Sequence, residues 1–190
     1  VFQILKQLPF ARCDFLYDVL YFCSMNSIVQ LISGPEADAL NALETARETG
    51  NIQWVRPMLE AFRDRTEERL RQEIGSMLGA LKVSEGAEVM GDALEDPEFA
   101  EVHADIIGFL WSCGFQSENH LRSVVHCAGE GDFRCAMEAL TWIEELESVN
   151  DENALWDVLL LIRGIIEEGR EDGTHPLFEA MHKALSALEK

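Results

Sequence analysis

The chain has 190 residues and a mass of 21.4 kDa, with 47% hydrophobic and 26% charged residues, enough apolar material for a core and a poor match to intrinsic disorder. Asp and Glu number 35 against 15 Lys and Arg, a formal net charge of −20, which argues against unaided binding to nucleic acid because phosphate contacts need a basic surface. No apolar run approaches the ~20 residues of a membrane-spanning helix.

Residues 1–24 are rich in aromatics (Phe2, Phe10, Phe15, Tyr17, Tyr21 and Phe22) and charge-balanced, with Lys6 and Arg12 against Asp14 and Asp18. The stretch Phe15–Cys23 has the outline of a secretion signal, but Asp14 and Asp18 interrupt it and no Ala-x-Ala site follows. Met25 is the expected start of the helical domain, leaving 1–24 as an aromatic extension or capping helix and 25–190 as one helical-repeat domain. A short amphipathic helix is expected from Asn26 to Ser33.

From there the pattern is helix, tight turn, helix. Gly34-Pro35 opens the first pair, with Ala39, Leu40, Leu43 and Ala46 at helical spacing and Gly50-Asn51 as its stop. Trp54, Val55, Met58, Leu59 and Phe62 mark the return helix. Thr66 is a candidate N-cap for the second pair, whose apolar positions are Leu70, Ile74, Met77, Leu78 and Leu81, then Val89, Met90 and Ala93. Asp96-Pro97 opens the third pair, which carries Val102, Ile106, Phe109 and Leu110 and stops at Gly114. Its partner runs from Ser117 through Leu121, Val124 and Val125 to Ala128. Asp132 opens the fourth, with Ala136, Leu140 and Ile143, then Leu155, Val158, Leu159, Ile162, Ile165 and Ile166. Pro176 starts a terminal helix.

Pair starts near 35, 66, 97 and 132 are 31, 31 and 35 residues apart. A near-constant period predicts an all-α fold in which antiparallel helix pairs stack as an α-solenoid, four pairs plus a terminal helix. A closed bundle of the same helices would lack that periodic layout.

The paired helices with an Asp-Pro opening and internal Gly turns resemble HEAT-like repeats. Asp105 to Glu144, through Ile106, Trp111, Ser112, Gly114, Phe115, Gly131, Asp132, Phe133, Ala139, Leu140 and Thr141, is similar to small uncharacterised bacterial HEAT-repeat proteins. The resemblance spans about residues 26–190. It implies a scaffold or adaptor that binds through a helical face, and it brings no catalytic residue with it.

Five cysteines, an odd number with no Cys-x-x-Cys, predict reduced thiols and a cytoplasmic setting. Cys113, His120, His126, Cys127 and Cys135 have ligand chemistry suited to zinc, yet the six-residue step between the two histidines does not share a helical face. A metal- or cofactor-binding enzyme built on that cluster is therefore the alternative reading. Gly129-Glu130-Gly131-Asp132 lacks the Lys and the preceding strand of a phosphate loop and reads as a helix–helix turn. Paired carboxylates such as Glu144/Glu145 and Glu167/Glu168 read as a solvated face, and packing is the default for Trp54, Trp111, Trp142 and Trp156.

The charge layout says more. Arg47, Arg56, Arg63, Arg65, Arg69, Arg71 and Lys82 form a basic segment, a second alternative as a nucleic-acid contact. No Lys or Arg then occurs before Arg122, while Glu85, Glu88, Asp92, Glu95, Asp96, Glu98, Glu101, Asp105 and Glu118 do. The expectation is a non-catalytic binding module without cofactor or metal. Glu95, Glu98 and Glu101 are its contacts for a protein partner with a basic surface.

Overall fold

In a computed structural model, residues 25–169 and 172–188 are described, so the aromatic segment 1–24 and the expectation attached to it lie outside the described residues. The described chain is all-α. Residues 25–33 are helical (α1), followed by α2 (Glu36–Thr49), α3 (Val55–Asp64), α4 (Glu68–Leu78), α5 (Glu85–Glu95), α6 (His103–Cys113), α7 (Leu121–Glu130), α8 (Phe133–Glu144), α9 (Glu152–Glu168) and α10 (His175–Ser186). Short 3-10 stretches at Ile52–Trp54, Pro97–Val102 and Glu118–His120 lead into α3, α6 and α7. No helix among the described residues is long and apolar enough to cross a membrane.

Local chemistry sets these boundaries. Asp96 accepts a hydrogen bond from the Glu98 N–H, with Pro97 behind it, and starts the 3-10 turn before α6. Asp132 caps α8 through the Cys135 N–H at 2.9 Å, and Asp151 caps α9 through the N–H groups of Asn153 and Ala154. Gly114 ends α6 at φ 76°, a left-handed conformation that a side chain would strain; its N–H returns to the α6 carbonyls. Two boundaries differ from expectation. Pro35 sits just ahead of α2 rather than inside its first turn. At α4, which begins at Glu68, Thr66 lies two residues ahead of the helix, and its N–H donates to the Glu67 carboxylate at 3.1 Å, which also pairs with Arg65.

The chain divides into two compact units, one ending at Arg71 and one beginning at Gln72, within α4. In the first, Leu31, Ala39, Leu43, Trp54, Val55, Met58, Leu59 and Phe62 are buried. Arg65, only 9% exposed, locks it: Nη1 donates to the carbonyls of Leu31 and Gly34 at 3.3 and 2.8 Å, and the guanidinium grips Glu67 at 2.6 Å. A cation thus satisfies carbonyls left open at the end of α1.

In the second unit α5 packs on α6 and α7, α6 on α8, α7 on α8 and α9, and α10 on α8 and α9. Principal neighbours are next, or next but one, along the chain. Ile106, Ile107, Leu110, Val124, Val125, Ala136, Ala139, Trp142, Val158, Ile162, Phe178 and Met181 are buried between them. Side-chain hydrogen bonds between helices have a matching reach. Trp111 to Glu138 and Trp142 to the Phe115 carbonyl each span 27 residues. Ser123 to Glu95 spans 28, Arg134 to Asp105 spans 29, Cys127 to the Leu94 carbonyl spans 33 and Cys113 to the Leu78 carbonyl spans 35. That reach is close to the sequence period.

Candidate functional site

Glu85, Glu88, Asp92 and Glu95 follow one another at helical spacing along α5, and all are exposed. Glu98 and Glu101 continue this acidic line, exposed on the 3-10 turn that follows. Glu85, Glu88, Asp92, Glu95 and Glu101 form no ion pair with Lys or Arg among the described residues. The three carboxylates singled out from sequence, Glu95, Glu98 and Glu101, therefore all face solvent on neighbouring turns of the chain.

At Glu95 this line meets an open cleft of about 420 Å³. One wall is a face of α7 that presents Arg122, Ser123, His126 and Glu130. The other brings Leu94 and Glu95 from the end of α5, Pro97, and His103 from the start of α6. Ser123 Oγ donates to Glu95 at 2.9 Å, and His126 Nδ1 lies 3.7 Å from Glu130. His103 is half-buried with Nε2 unpartnered, and desolvation holds its pKa below the ordinary value, favouring the neutral ring. The volume falls in the range of ligand sites, and its polar groups converge from three helices. Sequence reasoning found Glu95 but missed the rest of this cleft. The available signal was the period: Glu95 and Ser123 are one reach of 28 residues apart.

Behind α5 sits His120, only 5% exposed. Its ring lies so close to the Gly91 backbone that a Cβ there would come within 2.4 Å of it. Nε2 has no partner, and burial lowers the pKa against the opposing pull of Glu88, Asp92 and Glu95. His120 and His126 thus part company, one in the core and one at the surface.

The cysteines of the proposed ligand cluster are also dispersed into packing. Burial pushes the thiols of Cys127 and Cys135 up to about 12 and raises that of Cys113. Cys113, Cys127 and Cys135 donate to the carbonyls of Leu78, Leu94 and Cys127 respectively. Thiols held in this protonated form are poor nucleophiles and poor ligands. No group of three or more His, Cys, Asp or Glu is arranged to hold a metal among the described residues.

Most of the basic segment is paired locally, although Arg47, Arg69 and Lys82 are exposed. Arg47 pairs with Glu44 at 2.7 Å, Arg56 with Glu60 at 3.1 Å, Arg63 with Asp64 at 2.6 Å and Arg65 with Glu67. Arg71 donates to the Phe62 and Arg65 carbonyls and lies 4.3 Å over the Phe62 ring. These arginines have local partners competing with any phosphate.

Packing explains two of the four tryptophans and not the others. Trp54 and Trp142 are buried, whereas Trp111 is 38% and Trp156 is 55% exposed. Trp111 directs its indole N–H to Glu138 at 2.8 Å. On α9, Trp156 and Leu160 stand one turn apart on an exposed face.

No family model, no curated protein and no solved structure matches the chain.

Proposed function

We propose that this protein is a non-catalytic interaction module that presents the acidic line of α5 and the turn after it to a basic surface on a protein partner. The observation carrying this reading is the row Glu85, Glu88, Asp92, Glu95 and Glu101, exposed on consecutive turns and without an ion pair to Lys or Arg among the described residues. Such a row attracts a basic surface from a distance and helps fix its orientation, while contributing little to the fold. A HEAT-like stack of helix pairs is the architecture we assign. The period-length hydrogen bonds and the contacts between next-but-one helices support it. The buried, protonated thiols suit a reducing cytoplasmic setting.

Affinity capture from the native host tests the reading. The wild-type chain should retain a partner whose contact surface is basic and which elutes as salt is raised. The triple variant Glu95→Lys, Glu98→Lys, Glu101→Lys should lose that partner while keeping the wild-type thermal transition to within about 0.5 kcal/mol. Capture unchanged by both salt and charge reversal would sink the proposal and shift attention to the apolar pair Trp156 and Leu160.

A further inference from the structure

The cleft has a chemical preference of its own. Arg122, Ser123, His126 and Glu130 lie along one face of α7 over about two helical turns, placing Glu130 roughly 10 Å from the Ser123 end that holds Glu95. Neither Glu95 nor Glu130 pairs with Lys or Arg among the described residues. Each ends its helix, α5 and α7, where the helix macrodipole adds negative charge. Two carboxylates oppose the single guanidinium of Arg122 along the lining. An anion entering here meets net repulsion, and the neighbouring exposed Glu98, Glu101 and Asp92 add to it. Leu94 and Pro97 offer apolar surface against which methylene stems can lie.

We propose that the cleft receives a basic segment of the partner, with one lysine or arginine side chain directed to Glu95 and a second to Glu130. A span of roughly 10 Å corresponds to basic residues two or three positions apart in an extended chain. This inference rests on the acidic-face reading and narrows it to one groove. The unpartnered Nε2 of His103 fits the assignment, since a neutral ring leaves the incoming cation unopposed.

Titration of the full chain with an octalysine peptide at pH 7.5 and low salt tests both levels. The wild type should bind. The double variant Glu95→Gln, Glu130→Gln should weaken binding roughly tenfold. The control Glu144→Gln, Glu145→Gln carries the same charge change at the exposed end of α8 and should weaken it less than about twofold. Arg122→Gln should tighten binding about threefold by removing the opposing charge. Equal weakening by the cleft and control variants, or weaker binding by Arg122→Gln, would overturn the cleft assignment and leave only diffuse attraction. A wild-type chain that ignores octalysine would remove the acidic-face reading and this inference with it.

Discussion

Between Arg47 and Arg71 five of the six guanidinium groups turn back onto the chain: four grip nearby carboxylates, and Arg71 serves two carbonyls and an aromatic ring, leaving Arg69 exposed. Between Glu85 and Glu101 most carboxylates are exposed and form no ion pair with Lys or Arg among the described residues. The two stretches look like complementary charge blocks in sequence, but the first uses most of its charge on local partners. In the second, Asp96 caps a turn, Glu95 accepts from Ser123, and the carboxylates of Glu85, Glu88, Asp92, Glu95 and Glu101 form no ion pair with Lys or Arg among the described residues. Charge density alone does not mark a binding surface; what matters is whether hydrogen-bonding capacity remains after folding. Arg65 is the strongest instance of capacity consumed, and His120 of capacity left open: one is a buried cation with every direction occupied, the other a buried neutral ring with one nitrogen idle.

Breaking Arg65 should therefore cost the most. Arg65→Met leaves the Leu31 and Gly34 carbonyls and the Glu67 carboxylate without their donor, and the urea midpoint should fall by the equivalent of about 3 kcal/mol. A loss under about 1 kcal/mol would show that water replaces the guanidinium and that the clamp is superficial.

Next in size is the contact that keeps His120 beneath the acidic line. Gly91→Ala drives a methyl group into the ring and should destabilise by about 2 kcal/mol. In a His120→Ala background the same substitution should cost less than half as much. Equal costs in the two backgrounds would place the strain elsewhere.

The smallest effect is read by pH, and it separates the two stretches by window. Burial depresses the His120 pKa below 6.5, so the unfolded chain takes the proton first; stability declines as pH falls below that value, and His120→Gln should flatten the decline. His103 contributes with the same sign, so the slope shrinks without vanishing. Glu67 behaves as the opposite case. Hydrogen bonds from Arg65 and from its own backbone hold it at about 2 against 4.5, so its stabilisation is complete above 4.5 and is lost as pH falls towards 2. Denaturant midpoints between pH 8 and pH 2 should show two steps. His120→Gln should act only on the upper step and Glu67→Gln only on the lower.

Helix order and most punctuation were legible in the sequence because they are local. Asp96, Asp132, Gly50 and Gly114 act on backbone groups within a few residues of themselves. The exposed tryptophans were not legible. Around Trp156 the run Leu155, Val158, Leu159, Leu160, Leu161 and Ile162 is apolar on nearly every side, so periodicity does not choose which face is buried. The cleft was hidden for another reason. Glu95, His103 and His126 belong to three helices, and only tertiary packing sets Leu94 against the α7 wall. The acidic line itself was readable, since an uninterrupted absence of Lys and Arg needs no fold to be seen.

The period-length reach of the hydrogen bonds also bears on how the second unit assembles. Its helices find their principal partners within the next two segments of chain, so each closure joins ends separated by a short loop, with a correspondingly small entropic cost. Such a topology has low contact order. The search during folding is short and repeated.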